Sequence, residues 1–277
     1  MKSRLLNLLI IVLLAAGAGL LLYPTVSNYL NNRRSASVIT EYNRLYENTE
    51  EEHRQDMIRS AEDYNRRLFE ANAPLYKPSQ VTGYDDTLDL TGTGIMGYLD
   101  IDRIGVEIPI YHGVDEGVLQ VGAGHLEGSS LPVGGENTHC VLSGHRGLPS
   151  AKLFTDLDAL EPGDRFTITV LDRVLTYEVD QIKVVLPDDA SELAIKEGKD
   201  YCTLVTCTPY GINTHRLLVR GVRVEADTDR KPVFITNEAF KIDRTITATV
   251  IAVPMFITVT IVAVAAERRR KRHDKDS

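Results

Sequence analysis

TLVTCTP, at residues 203–209, is the stretch that decides the fold. Its β-branched and apolar residues predict a strand, and Pro209 prevents that strand from continuing because proline has no N–H to give to a neighbouring strand. Cys207 therefore lies at a strand end, where a loop can open and leave its thiol accessible. Taken alone the pattern is weak, since an unpaired cysteine is more often a small buried hydrophobe.

Two further segments carry reactive side chains at strand ends. LSGHRG, residues 142–147, places His145 after an apolar strand, between glycines that allow close approach. NTHRLLV, residues 213–219, begins a strand with Arg216, whose guanidinium can hold an oxyanion or a carboxyl group. Singly, the first is equally a polar loop histidine and the second a surface salt bridge. A barrel can bring all three strand ends to one rim.

Working outward, short strand-like runs cut by turn residues follow from Ile95 onward. This spacing predicts a mainly β chain with a closed or nearly closed barrel rather than a βαβ sheet. The predicted strands are 96–101, 106–111, 140–143, 165–170, 174–179, 201–206 and 217–222. Short helices are expected near residues 114–120 and 150–157.

The segment before the barrel changes character twice. Between Val38 and Phe69, apolar residues recur at helical spacing with charges between them, which predicts two helices or one broken helix. Residues 73–93 are rich in proline and glycine and predict an extended loop. Loops of this length without structure of their own often serve as lids.

Two apolar stretches predict flanking transmembrane helices. Residues 5–23 follow Lys2 and Arg4 and favour a retained anchor; the alternative is a cleavable signal peptide with its cleavage site near Ala16-Gly17-Ala18. Residues 245–266 are uncharged and precede a basic run, so the tail is expected in the cytoplasm and the middle of the chain outside it.

The expected plan is an anchor or signal at 1–30, a helical extension and loop at 31–94, a barrel at 95–225, a linker at 226–244, a transmembrane helix at 245–266 and a basic cytoplasmic tail at 267–277.

The charge and cysteine content exclude several functions. Without the first 23 and the last eleven residues, which hold eight of 31 basic and three of 39 acidic residues, the middle of the chain has a net charge of -13. Such a domain is a poor partner for nucleic acid and suits cationic partners. The three cysteines are too few for a disulfide scaffold, and neither they nor the histidines have zinc spacing. No metal or cofactor is expected, and Glu127, Asp188 and Asp189 lack calcium-loop spacing.

Together, TLVTC at 203–207, SGHRG at 143–147 and NTHR at 213–216 resemble the signature segments of the sortase family. GIMGY at 94–98, YHG at 111–113 and GAGHLEGSSLPVGG at 122–135 resemble its class C branch, which polymerises pilins. The resemblance spans residues 94–224 and implies an eight-stranded sortase-type barrel. It also implies an extracellular, membrane-anchored cysteine transpeptidase that cleaves an LPXTG-like sorting signal between Thr and Gly, with LPXTG-bearing pilins as partners.

The resemblance implies a role for each site residue. Cys207 would attack the carbonyl and form a thioester, His145 would protonate the leaving amine, and Arg216 would stabilise the oxyanion or hold the signal. A lysine amine of a second pilin, or an amine of a cell-wall precursor, would then resolve the thioester. Thr206, Ser143 and His215 are candidate substrate-binding residues, although strand packing also explains the first two. His112 and His125 are expected to be structural.

One departure concerns the lid of class C enzymes. This sequence lacks their Asp-Pro-aromatic motif, and Tyr76, Lys77 and Pro78 occupy the corresponding region as a candidate lid. Tyr84-Asp85-Asp86 is a second candidate.

Several alternatives remain open. One is a housekeeping sortase that attaches proteins to the cell wall, and another is a non-catalytic, membrane-tethered scaffold that binds sorting signals. An L,D-transpeptidase is disfavoured because its cysteine and histidine lie close in sequence, whereas Cys207 and His145 do not. Cys140 and Cys202 are expected to be separate core thiols, with a disulfide as the alternative.

Overall fold

The computed structural model describes residues 2–72, 75 and 81–225, without the side chains of residues 2–11 and Leu14. The chain divides into two compact units, and the barrel and its candidate site lie in the second, Asn28–Phe234. The predicted linker at 226–244, the helix at 245–266 and the tail at 267–277 lie outside the described residues.

Among the described residues two helices precede the barrel, which is one of the two arrangements predicted for residues 38–69. α1 (Lys2–Asn48) continues without a break past residue 30, the predicted end of the anchor or signal segment, and α2 (Glu51–Glu70) follows a short turn. Within the part of the chain that the structure describes, no helix combines the length and apolar character needed to cross a bilayer. The two flanking transmembrane helices therefore stay predictions.

Eight strands form a closed barrel, which confirms the predicted architecture. Its pairs are antiparallel except for the second strand with the third and the fourth with the seventh, which are parallel. The strands are β1 (Ile95–Ile101), β2 (Val106–His112), β3 (Ala123–His125), β4 (Thr138–Ser143), β5 (Arg165–Val170), β6 (Arg173–Val185), β7 (Asp200–Thr208) and β8 (His215–Val224). Around the barrel their order is β1-β2-β3-β4-β7-β8-β6-β5.

The predicted and observed elements differ in four places. β3 has only three residues, too few for an alternating pattern to be recognised. β6 continues to Val185 past an irregularity between Val179 and Gln181, which breaks the alternation that marks a strand. The helix expected at 150–157 does not form within these described residues, because Leu153 has a positive φ of 39°, outside the helical region. A 3₁₀ turn at Leu157–Ala159 follows instead. The helix expected at 114–120 forms as the shorter α3 (Glu116–Leu119).

α2 packs one face on the barrel. Its buried residues are spaced as on one side of a helix and share the apolar core with the barrel interior. Asn65, on this face, donates to the carbonyl of Leu131 at 3.1 Å and accepts from its N–H at 2.7 Å. The helix therefore fixes the segment that leads into β4.

Tyr42 of α1 joins that helix to two parts of the barrel. Its side chain is only 1% exposed, and its hydroxyl donates to the carbonyl of Met96 in β1 at 3.0 Å. The same oxygen accepts the N–H of Leu171, between β5 and β6, at 2.9 Å. One buried hydroxyl thus satisfies two backbone groups.

We expect Tyr42→Phe to lower the free energy of unfolding by about 1–3 kcal/mol, because the N–H of Leu171 would stay buried without a partner. The measurement is urea unfolding of the variant beside Tyr29→Phe, which removes a hydroxyl from a tyrosine that is 38% exposed. Equal stability of the two variants would contradict the assignment.

Candidate functional site

Cys207 lies on the outer face of the barrel, near the end of β7. Successive side chains of a strand point to opposite faces. Cys202, Leu204 and Thr206 are buried, whereas Val205 and Cys207 are half-buried on the other face. The thiol is therefore separated from the barrel core and is accessible from the surface.

Arg216 lies directly opposite Cys207. β7 and β8 are antiparallel, and their register pairs these two residues, so both side chains lie on the outer face. Directly opposed residues have Cβ atoms about 4.5–5.5 Å apart. The Nη1 atom of Arg216 donates to the carbonyls of Asn213 at 3.4 Å and His215 at 3.1 Å. A guanidinium held here can stabilise negative charge that develops next to the sulfur.

The segment that carries His145 is fastened to β7. β4 pairs in parallel with β7 and brings Ser143 opposite Val205. Beyond the strand, Gly144 donates its N–H to the carbonyl of Val205 at 3.0 Å, and the hydroxyl of Thr206 donates to the carbonyl of Gly144 at 2.7 Å. His145 therefore follows a residue that is bonded to the two positions preceding Cys207.

Glycine is required at position 144 by close packing. A Cβ atom there would lie 2.6 Å from the ring of Phe154, which is fully buried. The N–H of Phe154 also donates to the carbonyl of His145 at 3.1 Å. The same aromatic residue thus supports the loop through its ring and its backbone.

The imidazole of His145 contacts a carboxylate on α3. Its Nε2 lies 3.2 Å from Oε2 of Glu116, and the side chains are 25% and 69% exposed, respectively. Gln120 donates to the other oxygen of Glu116 at 3.1 Å. The hydrogen bonds from Gln120 and then His145 lower the pKa of Glu116, so its carboxylate is ionised at neutral pH.

Arg146 joins the histidine loop to the chain that follows Cys207. Its Nη1 donates to the hydroxyl of Thr208 at 3.4 Å, and its Nη2 forms an ion pair with Asp158. The guanidinium carbon is 5.9 Å from the ring centroid of Tyr210. Cation, hydroxyl and aromatic ring therefore connect the loops after β4 and β7.

An apolar cluster adjoins Cys207 and Arg216 on the outer face. Its strand members include Val205, two residues from the cysteine, and Leu218, two residues from the arginine, and Leu75 packs against it from the segment before the barrel. The full cluster is Leu75, Leu126, Val141, Val185, Leu193, Val205 and Leu218. Such a surface suits an apolar peptide segment next to a nucleophile.

The remaining predicted site residues have different environments. Thr206 is 2% exposed and its hydroxyl bonds to Gly144, which favours support of the histidine loop over direct substrate contact. Ser143 is half-buried at the end of β4. His215 is half-buried beside the site and its Nδ1 is 2.9 Å from the hydroxyl of Thr214. The candidate lid residues Tyr76, Lys77 and Pro78 lie outside the described residues.

His125 and His112 have structural contacts. His125 is fully buried, with Nδ1 2.9 Å from the hydroxyl of Tyr84 and Nε2 2.9 Å from the carbonyl of Ser130. Tyr84, from the second lid candidate, is itself buried and contacts His125 rather than covering Cys207. The Nδ1 of His112 is 3.0 Å from the carbonyl of Gly94. In the described ranges no three His, Cys, Asp or Glu side chains are grouped as a metal site.

Cys140 and Cys202 are free thiols at paired positions of β4 and β7. Both lie in the barrel core, and burial raises the pKa of the Cys202 thiol well above its ordinary value. Burial shields both thiols from reagents in solution.

Comparison with known proteins identifies the family. Residues 99–224 match the family model described as the sortase domain. Over 170 residues the chain is 32% identical to sortase D of Bacillus subtilis (strain 168), and this alignment covers 57% of the chain and 82% of that protein. The chain belongs to the sortase family.

The solved structures similar to this sortase include class C enzymes. Sortase C1 from Streptococcus agalactiae is 48% identical, with a TM-score of 0.64, and the match covers 69% of this chain and all of that one. Sortase C from Clostridium perfringens, solved with the C-terminal cell wall sorting motif, is 46% identical, with a TM-score of 0.60 and coverage of 69% and 99%. Sortases are cysteine transpeptidases, so this chain is an enzyme of that kind.

Two residues near the centre of this sortase were missed by the sequence analysis. Arg146 follows His145 within the SGHRG segment, but no pattern in the sequence indicates that its guanidinium turns toward Thr208. Glu116 falls in the short predicted helix and is far from His145 in sequence. Only the pairing of β3 with β4 brings these regions together.

We expect one thiol per native chain to react with iodoacetamide, and all three to react after denaturation, because Cys140 and Cys202 are buried and Cys207 is not. Intact-mass spectrometry counts the labels. Cys207→Ala should take up none in the native state, whereas Cys140→Ala should still take up one. Native labelling of Cys140 or Cys202 would contradict the described core.

Proposed function

We propose that this sortase polymerises pilins: it cleaves an LPXTG-like sorting signal between Thr and Gly and transfers the threonine carbonyl to a pilin lysine. The observation that carries the proposal is the β7–β8 register, which sets Cys207 opposite Arg216 on an accessible face. Likeness to class C structures supports the pilin substrate; one of these, sortase C of Streptococcus pneumoniae, is described in terms of pilin substrate specificity.

The site supplies each step of a two-stage acyl transfer. The Cys207 thiolate attacks the threonine carbonyl, and Arg216 stabilises the resulting oxyanion. His145 gives a proton to the glycine nitrogen as the C–N bond breaks, which leaves a thioester on Cys207. A lysine amine then attacks the thioester, loses a proton to His145, and displaces the Cys207 sulfur to form an isopeptide bond.

The surroundings of the site suit both substrates. The apolar cluster that contains Val205 and Leu218 offers contacts for the apolar part of a sorting signal. Further exposed apolar side chains lie near the end of β6 and in the β7–β8 loop, at Val184, Leu186, Tyr210 and Ile212. The acidic middle of the chain favours approach of a protein that presents lysine.

We also propose that the enzyme acts outside the cytoplasm, held by the apolar stretches at 5–23 and 245–266. The basic run after the second stretch supports this orientation. An anchored site outside the membrane meets sorting signals as they emerge.

The test is to incubate the full chain with an LPXTG-containing peptide and to measure intact mass. We expect a covalent adduct equal to the peptide up to its threonine, with none on Cys207→Ala and an unchanged yield on Cys140→Ala. Absence of an adduct on the wild-type chain under competent conditions would contradict the enzymatic function.

The acceptor separates pilus assembly from cell-wall attachment. When a pilin domain with a surface lysine and an amine-bearing cell-wall precursor are present in equal amounts, the peptide should be transferred from Cys207 to the lysine. Exclusive transfer to the precursor would instead indicate the housekeeping function.

We propose that the segment around Leu75, Tyr76, Lys77 and Pro78 covers the groove beside Cys207. Its described residue, Leu75, is half-buried against the apolar cluster, which supports this arrangement. A peptide that uses the same surface must displace this side chain.

Leu75→Ala should therefore increase the rate of peptide acylation, by about tenfold at most, since full burial of a leucine contributes about 1.5–3 kcal/mol and Leu75 is only partly buried. Leu90→Ala is the matched control, because Leu90 packs against the main core instead. Equal rates for the two variants in single-turnover measurements would argue against a covering segment.

A further inference from the structure

We propose that Glu116 is a positioning residue of this sortase: it holds His145 through Nε2 and leaves Nδ1 as the nitrogen that exchanges a proton with the substrate amine. The proposal rests on the proposed function, because it gives the acid role of His145 a geometric basis. It adds a residue from α3 to a centre otherwise built from β4, β7 and β8.

The geometry begins with the position of α3. This short helix lies between β2 and β3, and β3 pairs with β4 so that Gly124 lies opposite Ser143. The end of β4 and the start of the histidine loop are thus brought beside α3. Glu116 can reach across this gap, and its Oε2 lies 3.2 Å from Nε2 of His145.

The carboxylate is itself oriented. Gln120 lies one helical turn further on and donates from Nε2 to Oε1 of Glu116 at 3.1 Å. Each oxygen of Glu116 therefore has a partner, one on its own helix and one on the imidazole. A freely rotating surface carboxylate would not be restrained in this way.

The chemistry of the pair decides which ring nitrogen is active. An ionised carboxylate can only accept a hydrogen bond, so Nε2 of His145 carries the hydrogen in both protonation states of the ring. Nδ1 is then the atom that gains and loses the catalytic proton. It donates this proton to the leaving glycine nitrogen, and the ring returns to its neutral Nε2–H form.

The electrostatic surroundings of His145 include one carboxylate in contact with the ring, that of Glu116. Other charged or titratable groups on the surrounding elements include Asp115 before α3, Cys207 of β7 and both His215 and Arg216 of β8. Arg146, on the histidine loop itself, is turned to Asp158 and Thr208.

The test compares Glu116→Gln and Glu116→Ala with Asp115→Asn in the full chain. Asp115 carries the same charge one residue earlier, and no hydrogen bond joins it to His145 among the described contacts. Glutamine keeps an acceptor oxygen but removes the charge, whereas alanine removes both. Glu116 is 69% exposed, so all three variants should fold.

We expect Glu116→Gln to lower kcat for peptide cleavage by about tenfold, with KM little changed, and Glu116→Ala to lower kcat further. Asp115→Asn should retain wild-type kinetics. A fall in kcat with KM little changed is not produced by a role in folding or in peptide binding alone.

The second readout does not depend on the peptide. The ring nitrogens of His145 are followed by nitrogen NMR in the wild-type chain, in Glu116→Ala and in Asp115→Asn. The neutral ring should carry its hydrogen on Nε2 in the wild-type chain and in Asp115→Asn. Glu116→Ala should lose this preference, because no carboxylate then accepts from Nε2.

The proposal would be overturned if the Glu116 variants matched Asp115→Asn in kcat and Glu116→Ala kept the wild-type tautomer of His145. A wild-type chain that formed no peptide adduct would refute the proposed function instead, and the tautomer of His145 would still decide the role of Glu116.

Discussion

The site depends on the hydrogen bonding of one strand to two neighbours. β7 pairs in parallel with β4 and antiparallel with β8, and each pairing sets one part of the centre. The antiparallel register places Arg216 opposite Cys207. The parallel pairing ends at Ser143 and Val205, after which Gly144 continues the bonding and delivers His145 to the same end of the barrel. A shift of either register by one residue would move a functional side chain to the other face.

The alternation of β7 separates two tasks. Inward side chains, such as Leu204 and Cys202, build the core, and outward ones, Val205 and Cys207, form the working surface. Thr206 is the exception that links them, because its buried hydroxyl reaches the carbonyl of Gly144. The chain thus has three cysteines with unlike properties: two are held in the core and one is available for chemistry.

The elements best predicted from sequence are those in which short-range pattern and final environment agree. β5 has its predicted bounds because Arg165–Val170 alternates cleanly. The local pattern also placed Cys207 and Arg216 near strand ends, whereas their expected catalytic roles, like that of His145, come from the resemblance to sortases. β3 and the end of β6 were not predicted, because β3 is too short for a recognisable pattern and the end of β6 follows a bulge. The contacts of Leu75 with the apolar cluster and of Glu116 with His145 could not be predicted, because the pairing of strands distant in sequence brings these residues to their partners.

A crystal structure of the full chain with a sorting-signal peptide trapped as a thioester on Cys207 would show the site at work. We expect the acyl oxygen toward Arg216, His145 on the leaving-group side with Nε2 still bonded to Glu116, and the apolar part of the peptide on Val205 and Leu218 in place of Leu75. An acyl chain that leaves this surface, with Arg216 turned away from the carbonyl, would contradict this arrangement.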